Sequence, residues 1–279
     1  MPHSTLAATL RITSDICGTR NIEHPSSALR LIDHHLQASG IIPAQEDFLK
    51  ERIIDRPYAH DWYCVGQSVT CFPMKHIFHR SFQMNQDVHS HTWVLPNIGK
   101  SSIRFASVIT MGSTPPLITA CRVFARRDVV SGGPAPFTEE ERERFLQHYS
   151  MDNATAAKMW TLESHPLAPV ERLTAGVSYA PANDETPVLR VRVGPTNVNF
   201  GNHADHAFLA ETAAHALSIG DTDNDDHHDG PLKLELQYVS EAMFGDTLDC
   251  FVDRTKVFVF SVQENGQRVL VLQAEQTRM

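Results

Sequence analysis

Asn199-Phe200-Gly201-Asn202-His203-Ala204-Asp205 leads directly into a helical stretch, 204–217, that is apolar on nearly every side: Ala207, Phe208, Ala210, Ala213, Ala214 and Leu217. A surface helix keeps its apolar residues in one stripe, so a helix this small and apolar is one that a sheet wraps. The sequence that follows supplies strands for such a sheet. Leu232, Leu234, Leu236 and Tyr238 alternate with Lys233, Glu235, Gln237 and Val239, the period-2 pattern of a half-buried strand. Gly245-Asp246 turns the chain into a strand over 248–253. Lys256–Val262 and 268–274 flank Glu264-Asn265-Gly266-Gln267, whose Asn-Gly centre predicts a type I′ hairpin. The chain ends in an antiparallel meander.

The same order of elements is readable earlier. A first strand begins near Ala7, and Pro25 sits in the first turn of a helix over 25–38 with Ala28, Leu29, Ile32 and Leu36 on one face. Strand-like runs at Ser102–Thr110 and 117–126 are joined by Gly112-Ser113-Thr114-Pro115-Pro116. Asp15-Ile16-Cys17-Gly18-Thr19-Arg20-Asn21 precedes the first helix as Asn199 to Asp205 precedes the second, at a constant offset of 184 residues (15 to 199). An acid or its amide, a Thr or His four residues on, and an Asn or Asp two further recur in both. The pattern predicts a tandem duplication. Between the copies, Ser131-Gly132-Gly133-Pro134-Ala135-Pro136 breaks regular structure, and Thr138 with Glu139, Glu140 and Glu141 reads as a capping box opening an acidic helix to Tyr149. The division is 1–130, a linker over 131–170 with its own helix, and 171–279.

Composition narrows the class. The 279 residues are 42% hydrophobic and 20% charged, as expected of a globular chain. With 24 basic against 33 acidic residues, the net charge of −9 argues against nucleic-acid binding. No apolar stretch reaches the ~18–20 residues of a membrane span, and the first residues carry no secretory pattern, which predicts a cytoplasmic protein. The five cysteines are scattered and never paired as Cys-x-x-Cys, so neither a disulfide framework nor a zinc site is expected.

Strand, loop, buried helix and antiparallel strands, given twice, resemble the double-hotdog acyl-ACP thioesterase family, of the 4-hydroxybenzoyl-CoA thioesterase-like superfamily. The likeness is spread over most of the chain. It includes Asp15, the helix ending His35-Leu36-Gln37-Ala38-Ser39-Gly40, the paired strands to Arg127, and the acidic helix to Tyr149. Residues 199–206 are similar to that family's Asp-x-Asn-x-His-x-x-Asn loop, and residues 234–242 to its strand ending in Tyr-x-x-Glu-Cys. His203 takes the family's His and Glu241 its Glu, while Asn199 replaces the Asp, Gly201 the Asn and Ala242 the Cys. The resemblance implies an α+β fold, a tandem double hotdog whose antiparallel sheets each wrap a central helix. It also implies a hydrolase that splits fatty acyl-CoA or acyl-ACP thioesters, with no cofactor and no metal, and a homodimer is compatible with it. Plant members carry long transit peptides, for which the early first strand leaves no room.

The chemistry needs oxyanion donors, a group that activates water, and an acyl tunnel. A helix N-terminus supplies backbone N–H donors at 199–204, and Gly201 permits close approach. Asn199 does not titrate, so it orients a carbonyl, a water or His203, or is simply a turn residue. His203 is the candidate base, as an imidazole titrates near operating pH. Glu241 is base or orienter, although strict alternation from Leu236 and Tyr238 places it on the opposite face, where an exposed strand-end Glu is the plain reading. Gly201, Asn202, Asp205 and Phe208 are the candidate substrate contacts, Asp205 being a further acid in the same turn. Phe208, Leu234 and Leu236 are expected to line the tunnel. Arg122, Arg126 and Arg127 form a candidate patch for an acidic carrier protein. Asp15 and Thr19 read as helix-capping residues, and 221–230 as a solvated acidic loop, because Asp226 and Leu232 break the EF-hand pattern. His34-His35, His76, His79, His89 and His91 lack metal-site spacing. A non-catalytic acyl-thioester or fatty-acid binding protein on the same fold is the alternative, and an assembly protein ranks behind both.

Overall fold

The structure, a computed structural model, describes residues 6–11, 60–72, 87–95, 98–110, 118–128, 130–149, 179–182, 184–198, 202–220 and 232–278. The expected helix over 25–38, Asp15, Thr19, Asn199, Gly201 and the acidic loop 221–230 lie outside the described residues.

The described strands form one sheet. β1 (Leu6–Arg11), β2 (His60–Cys71), β3 (Asp87–Val94), β4 (Ser102–Thr110) and β5 (Ile118–Asp128) precede the Gly-Pro segment. β6 (Leu189–Arg192), β7 (Leu232–Tyr238), β8 (Thr247–Asp253), β9 (Lys256–Val262) and β10 (Arg268–Arg278) follow it. Their order is β1-β3-β4-β5-β2-β7-β10-β9-β8-β6, and each pairing is antiparallel. The two sets meet where β2 lies beside β7, from Gly66 opposite Gln237 to Cys71 opposite Leu232. The antiparallel strands expected of the two copies thus join in one continuous sheet.

Two helices complete the described core, α1 (Glu139–Tyr149) and α2 (His206–Gly220). The small side chains of α2 work as expected: Ala207, Ala210, Ala213, Ala214 and Ala216 are buried with Leu209 and Leu217. Leu209, Ala210, Ala213, Ala216 and Leu217 share one apolar cluster with Leu234 and Leu236 of β7, Leu248 of β8, Val259 of β9 and Val69 of β2. Each fully buried leucine contributes about 1.5–3 kcal/mol. Alanines let the helix axis approach the sheet closely. The capping box of α1 is present: Glu141 N–H donates to Thr138 Oγ1 at 3.2 Å, and Thr138 N–H donates to Glu141 Oε2 at 2.7 Å.

Several details differ from the sequence reading. β2, β3 and β6 were not apparent in it. The turn before β10 is not type I′, because Asn265 keeps a negative φ and only Gly266, at +79°, is left-handed. Gly266 N–H donates to Gln263 C=O and Gln263 N–H to Gln267 C=O, the three-residue loop of a type I turn closed by a left-handed residue. The arginine patch does not form on the surface. Arg122 and Arg126 are each 2% exposed, and Arg126 makes a bidentate pair with Glu141 at 2.8 and 3.1 Å, beneath Phe137. The charge of Arg126 pins α1 to β5 and presents nothing to a partner.

Candidate active site

β7 stops at Tyr238 because of its neighbour. β10 bulges between Leu270 and Leu272, so Val271 has no cross-strand partner on β9. Its carbonyl accepts from both Val239 N–H at 2.8 Å and Ser240 N–H at 3.3 Å. Two successive donors on one acceptor turn the chain out of the ladder. Strict alternation therefore does not extend to Glu241, although the residue is exposed as that alternation expected.

The turned segment meets the loop before α2. Ala204 N–H donates to Ala242 C=O at 2.7 Å, Phe244 N–H donates to Asn202 C=O at 2.8 Å, and His203 stands opposite Met243. Asn202 adopts a left-handed φ of 60°, a conformation asparagine tolerates better than most residues. This short antiparallel pairing places His203 Nδ1 3.3 Å from Glu241 Oε2, with the side chains 32% and 40% exposed. The contact lacks hydrogen-bond geometry. Arg127, at the end of β5, approaches the other oxygen of Glu241 at 3.9 Å. The carboxylate thus lies between an imidazole from the second half of the chain and a guanidinium from the first.

Asp205 has a structural engagement. Its Oδ1 accepts from Ala207 N–H at 2.8 Å, its C=O accepts from Leu209 N–H, and its N–H donates to Asn197 C=O. It is the N-cap of α2. The N–H groups of Ala204, Asp205 and Ala207 are bonded within the protein, so among the described donors expected over 199–204 that of Ala204 is taken. Asn202 is exposed, and Phe208 is half-buried against the apolar cluster of α2. Leu234 and Leu236 are buried in that cluster.

Sequence reasoning missed Arg127 as a site neighbour and passed over Tyr238 and His206. Tyr238 OH donates to His206 C=O at 3.2 Å, and the two rings meet edge-on at 4.9 Å. The signal was available in part: Tyr238 is the aromatic that ends an aliphatic strand, three residues before Glu241.

The sheet order and the buried α2 define the α+β class of tandem hotdog proteins. Solved structures of that class align over nearly the whole chain. An acyl-ACP thioesterase from Bacteroides thetaiotaomicron is similar at a TM-score of 0.60 with 13% identity, covering 98% of this chain and 97% of that one. The 12:0-ACP thioesterase from Umbellularia californica is similar at 0.57 with 13% identity, covering all of both chains. No protein-family model matches the sequence, and no curated protein does.

Proposed function

We propose that the chain hydrolyses fatty acyl thioesters, acyl-CoA or acyl-ACP, to the free acid and thiol. The observation that carries this reading is the 3.3 Å approach of His203 Nδ1 to Glu241 Oε2, on the two segments where the fold's thioesterase relatives, by resemblance, keep a His and a Glu. The names of the structural neighbours support the same substrate class.

A small rotation of the ring that turns Nδ1–H onto the carboxylate leaves Nε2 of the neutral imidazole as the proton acceptor. Nε2 takes a proton from water while the water oxygen bonds to the thioester carbon. The C–S bond then breaks and the thiolate leaves with the proton from His203. Glu241 stabilises the imidazolium between those steps. Asn199, Gly201 and Asn202 are the proposed loop around the carbonyl, with Phe208 beside the acyl chain. The domain division at 1–130, 131–170 and 171–279 belongs to the same proposal. So does a cytoplasmic location, supported by the free, buried thiols of Cys121 and Cys250.

A second reading, thioester binding without hydrolysis, draws on the bonded N–H groups of Ala204, Asp205 and Ala207, which leave fewer oxyanion donors. A thiol-release assay across acyl-CoA and acyl-ACP chain lengths separates the two. Release that falls in His203→Ala supports hydrolysis, whereas tight binding with no release from any substrate supports the second reading.

A further inference from the structure

Gln67, on β2, is fully buried, at 0% exposure. Half of its amide is engaged: Nε2 donates to Tyr238 OH. Oε1 has no hydrogen-bond partner. A buried acceptor left unmet is costly and marks a place where a ligand group or a water belongs.

Its surroundings say which group. Register sets Gln67 opposite Leu236 on one side and Arg122 on the other, with Phe105 beyond Arg122. Leu236 packs in the cluster that holds α2, so this row faces the helix side of the sheet. The row also divides two apolar regions. On one side lie Val69, Leu234 and Ala210, and on the other Ile103, Phe124 and Phe137. Phe105 and Tyr238, both half-buried, pack against each. An all-alkyl chain laid across this row meets an amide oxygen and a guanidinium. The row is tied to the candidate site, because Tyr238 OH holds the C=O of His206, three residues beyond His203.

We propose that Gln67 and Arg122 read a hydroxyl on the acyl chain, so that the substrate class is a hydroxyacyl thioester. The proposal rests on the thioesterase reading and narrows it. A hydroxyl suits both residues: its O–H donates to Gln67 Oε1, which has no other partner, and its oxygen can accept one of the five guanidinium N–H groups of Arg122. A ketone only accepts, a carboxylate has no proton for Oε1, and a methylene does neither. Sites built around a substrate hydroxyl reject the analogue that lacks it far more strongly than apolar pockets reject an extra methylene.

The test uses the full-length protein and matched CoA thioesters of one chain length, unsubstituted or with one hydroxyl at carbon 2, 3 or 4. Thiol release gives kcat/KM. Calorimetry with the corresponding analogues in which CH2 replaces the thioester sulfur gives binding independent of turnover. At one hydroxyl position, binding should exceed that of the plain chain by about tenfold or more. Gln67→Leu should remove the preference while improving plain-chain binding, and Gln67→Met, closer in shape, serves if the leucine variant does not fold. Equal binding of plain and hydroxylated chains by the wild type overturns the proposal and indicates a resident water on Gln67. So does a preference that survives in a folded variant, and if neither variant folds, the wild-type comparison decides alone. Thiol release without hydroxyl preference sinks this inference and leaves the thioesterase reading standing. Hydroxyl preference in binding without thiol release does the reverse.

Discussion

His203 and Glu241 are 38 positions apart in the sequence and 3.3 Å apart in space, and the consequence is specific at the level of single atoms. If Nε2 of His203 is the proton acceptor, His203→Ala lowers thiol release by about 10²–10⁴-fold. Glu241→Gln keeps the shape but removes the charge that supports the imidazolium, so kcat should fall with KM little changed. An equal kcat in either variant removes the residue from the mechanism. Arg127 is 46% exposed and 3.9 Å from Glu241, where solvent screening leaves little energy. Arg127→Ala should therefore alter stability by less than about 1 kcal/mol, measurable as a negligible change in denaturation midpoint. Asn199→Asp restores an acid that the resembling loop carries. A rate gain would mark the natural chain as a weakened enzyme, and a loss would give the amide a role of its own.

At the scale of elements, the acidic helix is held by one buried charge pair. Burial alone works to raise the Glu141 carboxyl, but the hydrogen bonds and charge of Arg126, together with Thr138, outweigh it and hold the group below its ordinary value of 4.5. A carboxyl lowered by folding contributes stability above its unfolded pKa and loses it as pH falls through the folded one. Glu141→Gln should thus cost about 3 kcal/mol near neutral pH, since it leaves Arg126 buried and uncompensated, and the gap to wild type should narrow below pH 4.5. Urea titrations at several pH values measure it, and a gap independent of pH would remove the charge from the account. Elements with a strong local signal were legible. Thr138 and Glu141 announced α1, and the Leu–Lys–Leu–Glu alternation announced β7 to its last residue, Tyr238. β2 was not, because it lies between β5 and β7 and buries Gln67, Ser68 and Thr70 alongside Val69 and Cys71, so neither alternation nor an apolar run is visible. Four-residue β6 at the sheet edge, where half-buried Leu189 and Val191 alternate with exposed Arg190 and Arg192, is too short to carry a decisive pattern. The pairing of His203 with Glu241 escaped for a different reason. It depends on the β10 bulge at Val271, thirty residues beyond Glu241, and no local pattern encodes where a strand will be bent by its neighbour.

For the whole molecule, the continuous sheet makes a claim about cooperativity. The seam between β2 and β7 is a core contact: Val69 stands opposite Leu234, and both are fully buried. Cutting the molecule there would expose two strand edges and that core together, so unfolding either half should remove support from the other. The tryptophans offer a reporter, because none of the three lies beyond residue 160 and Trp93 is buried on β3 of the first half. Tryptophan fluorescence and far-UV circular dichroism should give one urea midpoint, as a two-state transition requires. Leu234→Ala lies in the second half and should cost about 2–5 kcal/mol. If the seam couples the halves, that variant lowers the midpoint reported by the tryptophans as much as the midpoint reported by circular dichroism. A fluorescence transition that stays at its wild-type midpoint, while the dichroism splits into two steps, would show two independently folding units. The shared environment of Glu241, reached by Arg127 from one half and His203 from the other, would then be a docking contact between separate bodies.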